Sequence, residues 1–272
     1  MIPYPKMRPE IVALGPIRIR WYGLMYVLGF LATYFLASRL PKAKEIGLTS
    51  ERMQDLILYL AVGLVVGARL GFLLFYQYDN WAYYGSHPME IIATWHGGMS
   101  FHGGLLGAVC AGWLFCRRVR LPFWGVADCV AVTAPIGLGL GRIGNFINGE
   151  LFGRPTDVPW AMVFPDGGPM PRHPSQIYEA VGEGMLLFAI LWVLSRKERP
   201  NGVIVTAFLF FYGFIRFFLE FFREPDENLG FLWGHWTMGQ VLCAAMMVAA
   251  AILYLWRRSK GAPSENMRKR SA

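Results

Sequence analysis

Residues 56–76 read LILYLAVGLVVGARLGFLLFY. Arg69 is the only charged side chain in this stretch, which has about the 20 residues an α-helix needs to cross the hydrocarbon core of a bilayer. It lacks the polar/apolar alternation of a barrel strand. In lipid every backbone N–H and C=O must be satisfied within the segment, which leaves a membrane-spanning helix. Six further apolar runs of this kind occupy residues 21–38, 99–116, 121–141, 177–195, 203–222 and 229–256. The predicted fold is an all-α integral membrane protein of seven transmembrane helices in one polytopic domain covering residues 1–272.

Composition agrees. Charged residues make up 16% of the chain, against about 25% in soluble domains, and mean hydropathy is +0.37. The formal charge of +8 does not point to nucleic acid, because the cations cluster between and after apolar runs. Arg39, Lys42, Lys44 and Arg52 follow the first run, whereas residues 77–98 contain neither Lys nor Arg. Arg117, Arg118 and Arg120 follow the third, and Arg196, Lys197 and Arg199 the fifth. Arg257, Arg258, Lys260, Arg268, Lys269 and Arg270 lie in a basic tail, residues 257–272. By the positive-inside rule this alternation predicts an N-terminus outside and a C-terminus in the cytoplasm. Lys6, Arg8, Arg18 and Arg20 run against it: either translocation of a short tail tolerates some charge, or these side chains lie along lipid phosphates at the outer surface. The start lacks the apolar core and cleavage site of a signal peptide, so the run from Trp21 reads as a retained span. Residues 77–98 and 142–176, rich in Gly, Pro and aromatics, are expected to form a periplasmic cap.

Cys110, Cys116, Cys129 and Cys243 all fall in apolar runs, with no CxxC or His/Cys metal spacing, and read as small apolar fillers. No metal or organic cofactor is expected. Any thiol chemistry would use a thiol supplied by a substrate.

Charges inside spans are the informative anomaly, since an Arg, Lys or Asp at a helix centre costs roughly 2.5–3.5 kcal/mol on insertion scales. Besides Arg69 these are Asp128, Arg142, the i,i+4 pair Glu179 and Glu183, and Arg216 with Glu220. Arg223 continues that stripe, the three falling within about 60° on a helix. Mutual pairing of Arg216 with Glu220 is one explanation. The other is a polar chamber at the outer ends of the third to sixth spans, where the arginine fork suits the phosphate of an anionic lipid. The segment GRIGNFINGELFG, residues 141–153, sets Arg142, Asn145, Asn148 and Glu150 among glycines that allow close approach to a ligand. His102 is either a structural histidine or an acid/base residue at the same depth. Tyr22 is in the position of an interfacial belt tyrosine.

Five stretches in order resemble the bacterial prolipoprotein diacylglyceryl transferases: WYGLMY (21–26), GGMSFHGG (97–104), GRIGNFINGE (141–150), RHPSQ (172–176) and RFFLEFFR (216–223). The resemblance covers essentially the whole chain. It implies transfer of an sn-1,2-diacylglyceryl group from phosphatidylglycerol to the lipobox cysteine of a preprolipoprotein signal peptide. The products are a thioether and glycerol 1-phosphate. It further implies a multi-pass protein of the bacterial cytoplasmic membrane, with membrane lipid around it and its site on the outer side. Residue by residue, the family's essential arginines fall on Arg142 and Arg216, its essential histidine on His102, and other important positions on Tyr22, Asn145 and Gly153. Glu150, Glu220, Arg223 and Arg69 match further polar members of the chamber, and Asn148 would help orient the head group. The rival readings are a transporter or flippase of an anionic phospholipid and a structural bundle whose charges only pair. A transporter predicts internal repeats and paired interrupted helices, whereas the sequence shows one Gly-rich break and no repeat.

Overall fold

The computed structural model describes residues 2–5, 7–14, 17–224, 231–232 and 236–259. The expectations for Lys6, for Leu229 and for the tail from Lys260 onward, including Arg268, Lys269 and Arg270, lie outside the described residues. The chain forms a short antiparallel hairpin, β1 (Glu10–Leu14) with β2 (Ile17–Arg20), then α1 (Trp21–Ala37) and α2 (Pro41–Glu45). Next come α3 (Ser50–Tyr76), α4 (Trp81–Ser86), α5 (Met89–Ile92), a 3-10 turn at Thr94–His96, and α6 (Phe101–Val119). Helix α7 (Phe123–Asn148) is followed, after an extended segment, by α8 (Ser175–Glu179), a π-helical turn (Ala180–Leu186) and α9 (Leu187–Ser195). Helix α10 (Val203–Leu219), a second hairpin of β3 (Phe231–Leu232) with β4 (Trp236–Thr237), and α11 (Met238–Ser259) complete it.

The protein is thus mostly helical rather than purely so: the Ile17-Arg18-Ile19-Arg20 alternation is a strand period that a search for long apolar runs passes over. Among the described residues four helical segments are long and apolar enough to cross a membrane: Ser50–Tyr76, Phe123–Asn148, Ser175–Ser195 and Met238–Arg258. Trp21–Ala37 and Val203–Leu219 are shorter apolar helices. Their outer faces are apolar. Phe75 is 73% exposed, and Leu70, Leu74, Leu242, Ile252 and Leu255 are each at least half exposed. A surface so apolar is suited to lipid rather than water.

Two compact units are present, residues 1–42 with 128–272, and residues 43–127. In the second, α3 and α6 pack antiparallel along a seam of small residues. A Cβ on Gly107 would lie 2.1 Å from the Gly63 carbonyl oxygen, and one on Gly67 would lie 2.4 Å from that of Gly103. Glycines four residues apart on both helices let the backbones touch, so dispersion supplies the attraction that lipid, itself apolar, cannot.

In the larger unit α7 is the organising helix. It approaches α1 where Gly29 meets Gly137 and the turn after α8 where Gly139 meets Gly184. Its Asp128 is structural: Oδ2 accepts Gly202 N–H at 2.7 Å and Oδ1 accepts Val205 N–H at 2.9 Å. A carboxylate from one helix thereby caps the N-terminus of another, α10, satisfying donors that have no intrahelical partner. We expect Asp128→Ala to cost about 1–3 kcal/mol by stranding those buried N–H groups. Asp128→Asn, which keeps one acceptor, should cost less. Thermal unfolding in detergent checks both, and equal melting of Asp128→Ala and the native chain would contradict the cap.

Helix α7 also continues through Asn148, past the Gly141 boundary expected from the sequence. The glycines there do not break it. A Cβ on Gly144 would meet Tyr22 Cδ2 at 2.8 Å, so this glycine makes room for a ring, and the first left-handed glycine in the segment is Gly149, at φ +72°.

Candidate active site

The buried charges of the larger unit form one cluster. Glu179, the last residue of α8, and Glu183, in the π-helical turn, are both fully buried. Each carboxylate bridges the same two arginines, one from α7 and one from α10. Glu179 Oε1 accepts from Arg216 Nη1, and its Oε2 lies 3.1 Å from Arg142 Nε. Glu183 Oε1 accepts from Arg216 Nη1 at 3.1 Å, while its Oε2 accepts from Arg142 Nε and Nη2, each at 3.3 Å. π-Bulges inside helices are frequent at functional sites, and this one carries Glu183.

Arg216 Nη2 reaches a third carboxylate, Glu220 Oε2, at 2.7 Å. Glu220 Oε1 also accepts from the Thr237 hydroxyl at 3.2 Å and lies 3.9 Å from Arg223 Nη1. A Cβ at Gly239 would fall 2.7 Å from that oxygen, so α11 can approach Glu220 only with glycine there. Pairing of Arg216 with Glu220 is therefore real, but it is one edge of a network of six charged residues. The commitments of the two arginines differ. Arg216 Nη1 and Nη2 are both held by carboxylates, whereas Arg142 Nη1 makes no hydrogen bond among the described residues. A guanidinium carries five donors in a fixed fork, so Arg142 is both oriented and available to an anion.

On the same end of α7, Asn145 Nδ2 and Asn148 Nδ2 donate to one oxygen, Glu150 Oε1, at 2.9 and 3.1 Å. The Asn148 side-chain oxygen, Oδ1, is buried without a hydrogen-bond partner among the described residues, leaving an acceptor for a substrate hydroxyl. Gln176 Nε2 donates to the Glu150 carbonyl at 2.7 Å and ties the segment to α8. The Tyr22 ring rests on Gly144, between Arg142 and Asn145 in the helix.

Gly153 connects this segment to the stripe at the end of α10. It bridges to Arg223 in antiparallel fashion and donates its N–H to the His173 carbonyl at 2.9 Å. A Cβ there would lie 2.4 Å from the Phe222 carbonyl oxygen and 2.7 Å from His173 Cβ, which excludes any other residue without backbone movement. Arg154 donates to the Arg223 and Glu220 carbonyls at 2.8 and 3.3 Å, and Arg172 pairs with Glu224 at 2.7 Å. Burial lowers the pKa of the His173 imidazole beside them.

The other two expected residues belong to the smaller unit. His102 is exposed on the first turn of α6, which is capped by Ser100 Oγ accepting Gly103 N–H at 3.3 Å. Arg69 is buried, and its fork is spent on backbone carbonyls: Ile91 at 2.9 Å, Gly97 at 2.9 Å, Gly98 at 3.0 Å, and Glu90. It clasps the loop leading into α6, where Gly97 and Gly98 both have positive φ.

Glu179 and Glu183 stood out in the sequence as charges within a span but not as part of the head-group set; their i,i+4 spacing in an apolar run was the available signal. Arg172 opened one of the five resembling stretches without being assigned a role, and Arg154, a loop cation, gave no signal. No group of His, Cys, Asp and Glu suited to a metal ion occurs among the described residues.

Fold and site together define a membrane-embedded helical protein with a buried arginine–glutamate network that offers guanidinium donors to an anion. The model of the family described as prolipoprotein diacylglyceryl transferase matches residues 9–256. The chain is 53% identical over 245 residues to the phosphatidylglycerol–prolipoprotein diacylglyceryl transferase of Geobacter sulfurreducens, covering 90% of this chain and 93% of that relative. It is 50% identical over 266 residues to the same-named protein of Pseudomonas aeruginosa, covering 97% and 99%, and 48% identical over 259 residues to that of Desulfotalea psychrophila, covering 93% and 94%. The chain belongs to the prolipoprotein diacylglyceryl transferase family.

Proposed function

We propose that this protein transfers the sn-1,2-diacylglyceryl group of phosphatidylglycerol to the lipobox cysteine of a preprolipoprotein. The observation that carries the reading is the pair of arginines gripped by Glu179 and Glu183, with Arg142 Nη1 making no hydrogen bond among the described residues. In the reaction, the cysteine sulfur bonds to the glyceryl carbon that bears the phosphate ester, and the C–O bond to phosphate breaks. Its electrons leave on glycerol 1-phosphate, and the thiol proton goes to a base. The nucleophile is the thiolate, so proton removal is required, and His102 is the proposed acceptor. Charge grows on the departing phosphate. Arg142 and Arg216 meet that demand with donors already in place, which is where preorganised electrostatics contributes most.

Asn145 and Asn148, held by Glu150, would receive the head-group glycerol, and Tyr22 would wall the site. Glu220 and Arg223 hold Arg216 in position, and Gly153 keeps the segment close to that stripe. Arg69 would act by holding the loop before His102. The reaction so written needs neither metal nor organic cofactor.

The basic-residue alternation supports seven helices crossing the bacterial cytoplasmic membrane, with the N-terminus outside and the C-terminus in the cytoplasm. Arg142 and Arg216 would then face the outer side, where preprolipoproteins present their lipobox.

The test is direct. Purified protein incubated with phosphatidylglycerol and a lipobox peptide should add one diacylglyceryl mass to cysteine and release glycerol 1-phosphate. A lipid transporter or a structural bundle would give no adduct. His102→Gln should lower turnover by about 10²–10⁴-fold; near-native turnover would remove His102 from the mechanism.

A further inference from the structure

The opposite end of α10 carries a second feature. A groove of about 300 Å³ opens between the end of α9, the first turns of α10 and the last turns of α11. Small side chains make the hollow: Ala207 on α10 faces Ala250 and Ala251 on α11, with Phe210, Phe211 and Tyr254 as its bulky walls. From Val203 to Phe211 it follows α10 for about 12 Å at 1.5 Å per residue. Its lining is apolar apart from Thr206, whose hydroxyl donates to the Val203 carbonyl at 2.7 Å, and Arg199, the charged member at one end.

That end is cationic. Lys42 Nζ donates to the Arg199 carbonyl at 2.9 Å, and Arg257 Nε donates to the Asn201 carbonyl at 2.8 Å, so three basic side chains meet at the connection between α9 and α10. Arg199 spends Nε on the Leu194 carbonyl at 3.0 Å, and its two terminal nitrogens have no partner among the described residues. Arg196 and Lys197 are exposed in the same connection. The opposing acids are Glu198, which is exposed, and Asp128, whose oxygens are turned to the Gly202 and Val205 N–H groups. Asn201 is only 6% exposed, and its Oδ1 lacks a partner among the described residues.

A hollow for a hydrocarbon chain that ends in guanidinium donors matches a ligand with an apolar tail and an anionic head. We propose that this groove binds one anionic phospholipid, with an acyl chain between Ala207 and Ala251 and its phosphate on Arg199. Lys42 and Arg257 add to the positive field there. Arg216 lies about 20 Å further along α10 from Val203, so this lipid is not the one on the arginine–glutamate network. An acyl chain alone would fill such a groove from any lipid; the cations confer the preference for negative charge.

Phosphatidic acid tests this without engaging the proposed transfer, because it has no glycerol head group to release. Full-length protein in phosphatidylcholine nanodiscs receives a few per cent of phosphatidic acid carrying a diazirine at the chain end, or the same photoreactive group on phosphatidylcholine. Phosphatidic acid should label residues 203–211 and 247–254 preferentially. Ala251→Trp should abolish that labelling by filling the hollow. Arg199→Gln, which leaves the helices' apolar packing unchanged, should lower the anionic-to-zwitterionic labelling ratio about fivefold, as expected for one cation at a membrane surface. Equal labelling of the native protein by both lipids would overturn the proposal, as would an unchanged ratio in Arg199→Gln.

Discussion

Arg142→Lys is expected to lower kcat/KM for diacylglyceryl transfer by about 10²–10³-fold, the loss typical when one preorganised donor to a developing anion is removed. Arg142 holds Glu179 and Glu183 through Nε and Nη2, and its Nη1 has no partner among the described residues. Lysine retains the charge but offers a single nitrogen, which cannot span two carboxylates and also reach a phosphate. Charge balance in the buried cluster is preserved, so the melting temperature should change little beside the rate. The kinetics decide the matter. If Arg142→Lys keeps kcat/KM within a few-fold of the native protein, the fork geometry is irrelevant to the chemistry and Arg142 serves only as charge.

Glu179→Ala should have the largest effect on stability, about 3–5 kcal/mol, the range for breaking a buried ion pair and leaving its partner uncompensated. Glu179 is completely buried and lies between Arg142 and Arg216, contacting both. Without it, two guanidiniums share Glu183 and repel each other in a medium that screens poorly. Glu179→Gln should be milder, because the amide oxygen still accepts one hydrogen bond. Both belong in a thermal and chemical unfolding series in detergent, with Glu220→Gln as the comparison. A Glu179→Ala protein that melts with the native chain would show that the carboxylates do not hold the arginines in place.

The two predictions rest on different kinds of legibility. Arg142 and Arg216 were conspicuous in the sequence because charge in an apolar run is expensive wherever the run folds. Their carboxylate partners were visible too, but not the pairing, since Arg142 and Glu183 are 41 residues apart and Arg216 and Glu183 are 33 apart. Asp128 looked like a member of the same anomaly and proved to be a cap for α10. Arg69 resembled a head-group residue, yet its donors face the carbonyls of Glu90 to Gly98. Backbone carbonyls are present at every position and leave no mark in composition, so a partner of that kind is invisible to sequence reading.

Glycine was misread in a related way. The glycines from Gly141 to Gly149 suggested a break at the end of a span, whereas the helix runs on to Asn148. A glycine that makes room for a neighbour's ring, as Gly144 does for Tyr22, cannot be told from one that frees φ until the neighbour is placed.

The apolar stretch at 56–76 and its six counterparts determined, without tertiary information, that this is a helical membrane protein carrying buried arginines. Transfer free energy is a sum over local residues, so a window of sequence contains nearly all of it. Which carboxylate meets which guanidinium, where a π-helical turn carries Glu183, and which end of α10 offers cations to a groove were decided only by tertiary structure. Those outcomes depend on the rotation and depth of one helix against another. Close packing at Gly139 and Gly184 and at Gly239 beside Glu220 sets them, and no single segment contains that information.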